Sequence, residues 1–236
     1  MDLNESERPM IGYIPAGSTN DFAETVKIPK KIEDASLNLI KGMPFSCDVG
    51  RFNNDYFLYV AAFGAFSDVS YDTPQDMKNT LGHSAYVIEG MKRLTNLPKI
   101  KMTVVYDGGE VTGNFIYGMV SNTTSVAGIK TLGKNNVILD DGLFEIVLVK
   151  YPENPADIQN ILSSVLTNDF SQPKAFKVIK TKNARFISDE EIKWTLDGEY
   201  GGTHKNVEVE NISKAVSIVI PKDSPVFSSK MKSSVL

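Results

Sequence analysis

From Met43 onward the hydrophobic period of the sequence changes, and this change constrains the fold more than any other feature. Phe45, Cys47 and Val49 alternate with polar neighbours, Asn53-Asn54-Asp55 supplies a turn, and residues 56–63 form a second apolar run. Period-two alternation puts every second side chain on one face of a sheet, and a short polar turn between two such runs marks a hairpin. The pattern recurs. Ile100–Tyr106 alternates, Asp107-Gly108-Gly109-Glu110 turns and residues 113–121 return, while Ile138-Leu139, Asp140-Asp141-Gly142 and residues 143–149 make a further pair. Phe176–Thr181 and residues 183–188, 192–196, 207–210 and 216–220 are short strand candidates separated by polar turns.

Helical spacing appears in three places. In residues 29–41, Ile32, Ala35, Leu39 and Ile40 share one face, Pro29 suits a first turn and Gly42 suits a stop. Residues 77–97 place Tyr86, Val87, Gly90, Met91 and Leu94 on one side, and Ile158, Ile161, Leu162, Val165 and Leu166 mark a short amphipathic helix. Near the start, residues 11–14 could form a strand stopped by Pro15. The expected class is α+β, mainly β: a helical lead-in over residues 1–42, a two-sheet β-sandwich-like body over 43–221 with a few inserted helices, and a frayed Ser/Lys-rich tail over 222–236.

Composition narrows the function. With 25 basic and 29 acidic side chains the net charge is -4, which excludes a generally basic nucleic-acid binder. Cys47 is the only cysteine, so no internal disulfide or cysteine-rich zinc site can form. Its alternation with Phe45 and Val49 suits a small buried hydrophobe. His83 and His204 offer little for a histidine metal site; His83 reads as structural and His204 as a residue in an exposed loop. No apolar run approaches the roughly 20 residues of a bilayer-spanning helix, and the polar start does not resemble a signal peptide. A cytoplasmic protein is expected.

Three motifs could carry chemistry. Gly17-Ser18-Thr19-Asn20-Asp21, at a helix start, can present backbone N–H groups to a phosphate, with Asp21 as a cap or magnesium ligand; from spacing alone an ordinary capped helix end is the commoner reading of such residues. Leu196-Asp197-Gly198-Glu199 places two carboxylates at a strand end, where one could serve as general base, or it is a plain Asp-Gly hairpin turn. Asp140-Asp141-Gly142-Leu143 is oxygen-rich enough for a cation, or again a bare turn. The bases Lys30, Lys31, Lys174, Lys177, Lys180, Lys182 and Arg185 read mainly as a solvated face, although the later group could meet anionic lipid.

In order, these motifs resemble those of the diacylglycerol kinase family, the bacterial soluble lipid kinases related to sphingosine kinases. Ile14-Pro-Ala-Gly-Ser-Thr-Asn-Asp-Phe-Ala23 resembles its Pro-x-Gly-Thr-x-Asn-Asp-Phe-Ala segment, and Asp48-Val49-Gly50, Gly64-Ala-Phe66, residues 82–90 and Ser121-Asn122 follow in family order. Asp140-Asp-Gly-Leu-Phe144 resembles Asp-Gly-Leu-Leu, and Trp194-Thr-Leu-Asp-Gly-Glu199 carries Asp-Gly-Glu; the likeness spans about residues 10–221. It implies an ATP-dependent kinase acting on a lipid hydroxyl, with a lipid substrate, magnesium and contact with a membrane surface. Gly17, Ser18, Thr19, Asn20 and Asp21 would meet the nucleotide phosphates. Glu199 would be the general base and Asp197 its acidic partner, while Asp141 and Leu143, beside Asp140, would hold a structural magnesium ion.

Two departures stand out. Ser18 replaces the family's usual Thr, and the family's Gly-Gly-Asp-Gly-Thr loop occurs nowhere in the chain. The residues read as the lipid-binding domain with a remnant of the nucleotide domain, expected to be inactive alone. A non-catalytic lipid-binding or interaction module, either a degenerate paralogue or a subunit that borrows a nucleotide domain from another chain, is the alternative; the partner expected is that missing nucleotide domain or a second copy in a homodimer.

Overall fold

The computed structural model describes residues 9–17, 20–65, 97–123, 125–126, 129–130, 138–167 and 174–227. The helix expected over 77–97, with His83, therefore lies almost wholly outside the described residues, as do Ser18, Thr19 and the end of the tail.

In chain order the elements are β1 (Met10–Ile11), α1 (Asp21–Val26), α2 (Ile32–Lys41), β2 (Met43–Phe52), β3 (Asp55–Phe57), β4 (Val60–Gly64), β5 (Ile100–Tyr106), β6 (Gly109–Ser121), β7 (Ser125–Val126), β8 (Ile129–Lys130), β9 (Phe144–Lys150), α3 (Pro155–Thr167), β10 (Phe176–Thr181), β11 (Asn183–Leu196) and β12 (Glu199–Ile220). Among the described residues no helix is long and apolar enough to cross a membrane.

The protein is mainly β, as expected, but the two-sheet arrangement is replaced by one continuous ten-stranded sheet with a separate β7–β8 ribbon. The two long strands β6 and β11 explain the continuity. On β6, Phe115 pairs with Ile100 of β5 and Tyr117 with Gly64 of β4. On β11, Ile187 pairs with Thr103 of β5 and Trp194 with Phe63 of β4. β4 and β5 thus lie end to end, running the same way, as one interrupted strand between the same two neighbours. Beyond them the order runs through β9 and β10 on one side and through β12, β2 and β3 on the other.

The sheet rolls over its main core. Phe57 of β3 and Phe144 of β9, far apart in strand order, approach with ring centroids 5.4 Å apart. Trp194 fills the centre, with Phe63 at 4.7 Å and Phe52 and Phe186 each at 5.1 Å. Four buried rings in offset and edge contact add roughly 0.5–1.5 kcal/mol per pair beyond the burial of their area. β9 shows how sequence serves this shape: Phe144, Ile146 and Leu148 enter that core, while Val147 and Val149 join a second cluster on the opposite face. A strand covered on both sides is apolar along most of its length, which is why residues 146–149 do not alternate; the buried Glu145 is the exception.

A third cluster joins the helices to the sheet. Phe22, Ala23 and Val26 of α1, with Ile28 and Ala35, pack against Phe45, Cys47, Leu139, Ile218 and Ile220. Cys47 is buried, as its alternation predicts. α2 begins at Ile32, later than Pro29, and Gly42 ends it with extended backbone, not the left-handed turn expected of a terminal glycine. Space, not handedness, calls for the glycine: a Cβ on Gly42 would sit 2.6 Å from the carbonyl oxygens of both Asn38 and Ile220.

Other expectations shift. Residues 183–188 and 192–196 fuse into β11, and 207–210 and 216–220 fuse into β12, with register irregularities where polar residues interrupt. Ile138 and Leu139 are not in a strand. His204 lies within β12, not in a loop, with its ring 5.5 Å from that of Phe52. The first part of the expected tail is packed: the Ser224 hydroxyl donates to the Val26 carbonyl at 2.8 Å, and Phe227 meets Phe45 edge-on at 5.8 Å.

Asp107, in the β5–β6 turn, staples the β10–β11 turn to it. Its carboxylate accepts from the Lys182 and Asn183 amides at 2.9 and 3.0 Å and from the Thr181 hydroxyl at 2.9 Å. The Asn183 amide above all, with the other donors, holds its pKa below the usual carboxylate value. A depressed carboxyl contributes stability above its unfolded pKa and loses it as pH falls through the folded one. Asp107→Ala is expected to cost about 1–2 kcal/mol at neutral pH by denaturant unfolding. The gap should close below about pH 4; a gap that persists at low pH contradicts the staple.

Candidate active site

The Asp-Gly-Glu segment is a two-residue hairpin turn between β11 and β12, closed by the pair Leu196 and Glu199. Asp197 and Gly198 both have positive φ, 52° and 92°, the signature of a type I′ turn that glycine and aspartate tolerate best. The plain-turn reading is therefore right about shape, but the Asp197 side chain does more than a turn requires. Its Oδ2 accepts from the Leu58 amide at 2.6 Å, and its Oδ1 accepts from the Tyr59 and Val60 amides at 3.0 and 2.9 Å. Its own amide donates to the Val60 carbonyl at 2.8 Å. Those amides lie at and just after the break between β3 and β4. Burial pushes the Asp197 pKa up, and the three amides pull it back without cancelling the rise. Both oxygens are committed to holding backbone.

Glu199 stands two residues further on, exposed, at the first position of β12. Among the described residues its carboxylate has no hydrogen bond or ion pair. The same short motif thus yields a fixed carboxylate and a carboxylate open to solvent.

Tyr59 connects this turn to the start of α1. A Cβ on Gly198 would lie 3.9 Å from the Tyr59 hydroxyl. Burial pushes the Tyr59 phenol up, and the Asp197 and Asp21 carboxylates push the same way. Tyr13 is likewise raised by burial and by Asp21. The fold thus brings the Asp21 carboxylate near Tyr13 and Tyr59, and the Asp197 carboxylate near Tyr59. On the far side, the Thr25 hydroxyl of α1 shares a 2.6 Å hydrogen bond with Thr123, and the Asn122 amide donates to the Tyr59 carbonyl at 3.0 Å.

In the expected phosphate segment the described residues form a closed loop. The Gly17 amide donates to Asn20 Oδ1 at 2.9 Å, and Asn20 Nδ2 donates to the Gly17 carbonyl at 2.6 Å. Asn20 is left-handed, and Asp21 is buried at the first position of the six-residue α1.

The Asp140-Asp141-Gly142-Leu143 loop is held by protein groups. The Gly142 amide donates to Asp48 Oδ2 at 2.7 Å, and the Leu143 amide donates to Asp141 Oδ1 at 3.1 Å. The other oxygen, Asp141 Oδ2, lies 2.8 Å from the Lys180 ammonium, which is also 3.3 Å from Glu145 Oε1. Burial pulls the Lys180 pKa down, but the two carboxylates outweigh it and keep the charge. Burial pushes Glu145 up to about 7 against the pull of Lys180. Among the described residues no three His, Cys, Asp or Glu side chains gather as metal ligands. Magnesium needs only one or two carboxylates, so the decisive fact is the ammonium on Asp141. As arranged, Asp140, Asp141 and Leu143 do not fit a magnesium ion.

Three residues of this neighbourhood escape a reading of the sequence. Asp48 alternates out of phase with Phe45, Cys47 and Val49, which suggests a solvent-facing position, yet it is wholly buried. Its Oδ1 accepts from the Lys214 amide at 2.8 Å at the β12 irregularity, while its Oδ2 holds Gly142. Burial raises its pKa and these amides oppose the rise. Tyr59 reads as one aromatic in an apolar run, and Lys180 as part of a solvated basic face. The only available signal was the lone acid of Asp48-Val49-Gly50 inside a strand.

Comparison with known proteins matches this arrangement to one family. The diacylglycerol kinase catalytic domain family matches residues 2–52. The diacylglycerol kinase of Bacillus subtilis (strain 168) is 31% identical over 217 residues, 92% of this chain and 71% of its own length. That of Staphylococcus carnosus (strain TM300) is 33% identical over 219 residues, covering 92% and 70%. A crystal structure of a candidate diacylglycerol kinase from Bacillus anthracis str. Sterne superposes with a TM-score of 0.77 at 25% identity, over 92% of this chain and 71% of that one. The chain belongs to the diacylglycerol kinase family.

Proposed function

We propose that the chain is the acceptor-binding, base-carrying part of a lipid kinase that moves the γ-phosphoryl group of ATP to a lipid hydroxyl such as that of diacylglycerol. One observation carries the reading: Glu199 is an exposed carboxylate, without a partner among the described residues, on a turn that Asp197 fixes by three backbone hydrogen bonds. Phosphoryl transfer asks little covalent chemistry of a protein and much positioning. Glu199 takes the proton of the lipid hydroxyl as its oxygen forms a bond to the γ-phosphorus. The bond to the bridging oxygen breaks and ADP leaves. Asp197, with both oxygens engaged by backbone amides, is assigned as a positioning residue, which sharpens the expected acidic partnership.

ATP supplies the phosphoryl group and brings its own magnesium as part of the substrate. The negative neighbourhood of Asp21 and Asp197 around Tyr59 favours that cation-neutralised form over bare triphosphate. Gly17, Ser18, Thr19, Asn20 and Asp21 are assigned to the nucleotide side. A five-residue segment whose Gly17 amide is engaged by Asn20 cannot cradle three phosphates by itself, so residues 1–236 alone are expected to turn over little or nothing. A lipid acceptor also implies work at a membrane surface.

With radiolabelled ATP and diacylglycerol in mixed micelles, robust turnover by the 236-residue chain would show that it needs no further nucleotide contacts. In the active form, whether this chain alone or completed by a nucleotide-binding partner, Glu199→Gln is expected to lower kcat by about 10²–10⁴-fold with an unchanged Tm. Retained activity removes Glu199 from the base role. Asp197→Ala is expected to behave differently, lowering activity and also stability by about 2–4 kcal/mol, because three amides lose their acceptor. An Asp197→Ala protein as stable as the parent would return Asp197 to a direct chemical role.

A further inference from the structure

The resemblance leads one to expect a divalent cation between the Asp141 carboxylate and the Leu143 carbonyl, and the fold has a lysine ammonium on that carboxylate instead. We propose that Lys180 takes the place of that cation, so that the 140–143 loop is held without metal.

The sheet puts the ammonium in place. Lys180 pairs directly with Glu145 in the antiparallel register of β10 on β9, six consecutive pairs without irregularity, so both side chains rise from the same face. From there Lys180 Nζ reaches Asp141 Oδ2 at 2.8 Å and Glu145 Oε1 at 3.3 Å, bridging strand and loop. Glu145 is 3% exposed, and neither of its oxygens has a hydrogen bond of ordinary geometry. Among the described residues its ion-pair partner is Lys180, and removing that ammonium would leave a buried carboxylate uncompensated. The loop also turns its backbone donors inward: Leu143 N–H to Asp141 Oδ1 and Gly142 N–H to Asp48 Oδ2. With one Asp141 oxygen on an ammonium and the other on an amide, a second cation would meet the positive charge already seated there. The ammonium does for this loop what a metal does elsewhere: it joins two carboxylates from different segments and neutralises part of their charge.

The inference rests on the family reading for the cation it replaces, but its test involves no turnover and no ATP, so a failed kinase assay and a failed lysine bridge are distinguishable. The full chain is unfolded thermally in excess EDTA and in millimolar magnesium chloride, and manganese retention is measured by equilibrium dialysis. The parent protein is expected to show the same Tm in both buffers to within about 1 °C and to retain no manganese. Lys180→Met is expected to lose roughly 5 °C or more in EDTA, and Lys180→Arg, which keeps the charge, to recover most of it. A magnesium-dependent Tm gain in the parent, or stoichiometric manganese that Asp141→Asn abolishes, overturns the proposal. So does a Lys180→Met protein as stable as the parent. If Lys180→Met does not fold, the metal measurements on the parent decide.

Discussion

A single carboxylate, that of Asp197, accepting the amides of Leu58, Tyr59 and Val60, ties together the parts of the molecule on which its proposed chemistry depends. The amides of Leu58 and Tyr59 belong to the break between β3 and β4, and that of Val60 opens β4, where the chain leaves one pairing partner and joins the next. Without an acceptor they would be half-buried donors with no partner, a costly arrangement. Satisfying them from the β11–β12 turn fixes three things at once: the turn carrying Glu199, the backbone carrying Tyr59, and the start of β4 beneath them. The charged acceptor makes these bonds stronger than neutral ones.

The device is repeated. Asp48 holds Gly142 and Lys214, joining a loop to the irregularity of β12, and Asp107 holds Lys182 and Asn183, joining two turns. Each aspartate binds backbone far away in sequence. A single sheet that rolls until Phe57 meets Phe144 leaves many turns and irregularities at its rims, where ladder hydrogen bonds run out. The apolar interior around Trp194 supplies the bulk of the stability, but it is indifferent to the exact course of those rims. Aspartates that cap loose amides supply the specificity that hydrophobic burial lacks.

Much of this was legible before any coordinates. The β5–β6 hairpin, α3 and β10 follow directly from period and turn chemistry, and Asp197-Gly198 is the tight turn its composition indicates. The connected length of β11 and β12 was not legible, because Ser188-Asp189-Glu190-Glu191 and Ser213-Lys214 look like turns. Pairing carries the ladder past them with local irregularities. The merging of two expected sheets into one was hidden for a related reason. β4 and β5 are separated by many residues yet lie end to end between the same neighbours, and no local pattern encodes that. In the proposed site, the assignment of Glu199 rests on motif order, but the separate role of Asp197 within Asp-Gly-Glu does not. What Asp197 does is set by amides 137–139 residues away along the chain. The roles of Asp48 and Lys180 are not legible locally, because an acid out of phase with apolar neighbours and a lysine in a basic run both imply solvent, and only the tertiary fold supplies their partners.

The claim that one aspartate clamps the site is tested most directly at the amides themselves. Hydrogen exchange at Leu58, Tyr59 and Val60, followed residue by residue by NMR in the parent and in Asp197→Ala, reads the clamp without reference to activity. If Asp197 holds these donors, the substitution speeds exchange at all three by about 10–100-fold, as expected for losing a charge-assisted bond, while the β5–β6 ladder keeps its protection. Equal protection of the three amides in both proteins would contradict it.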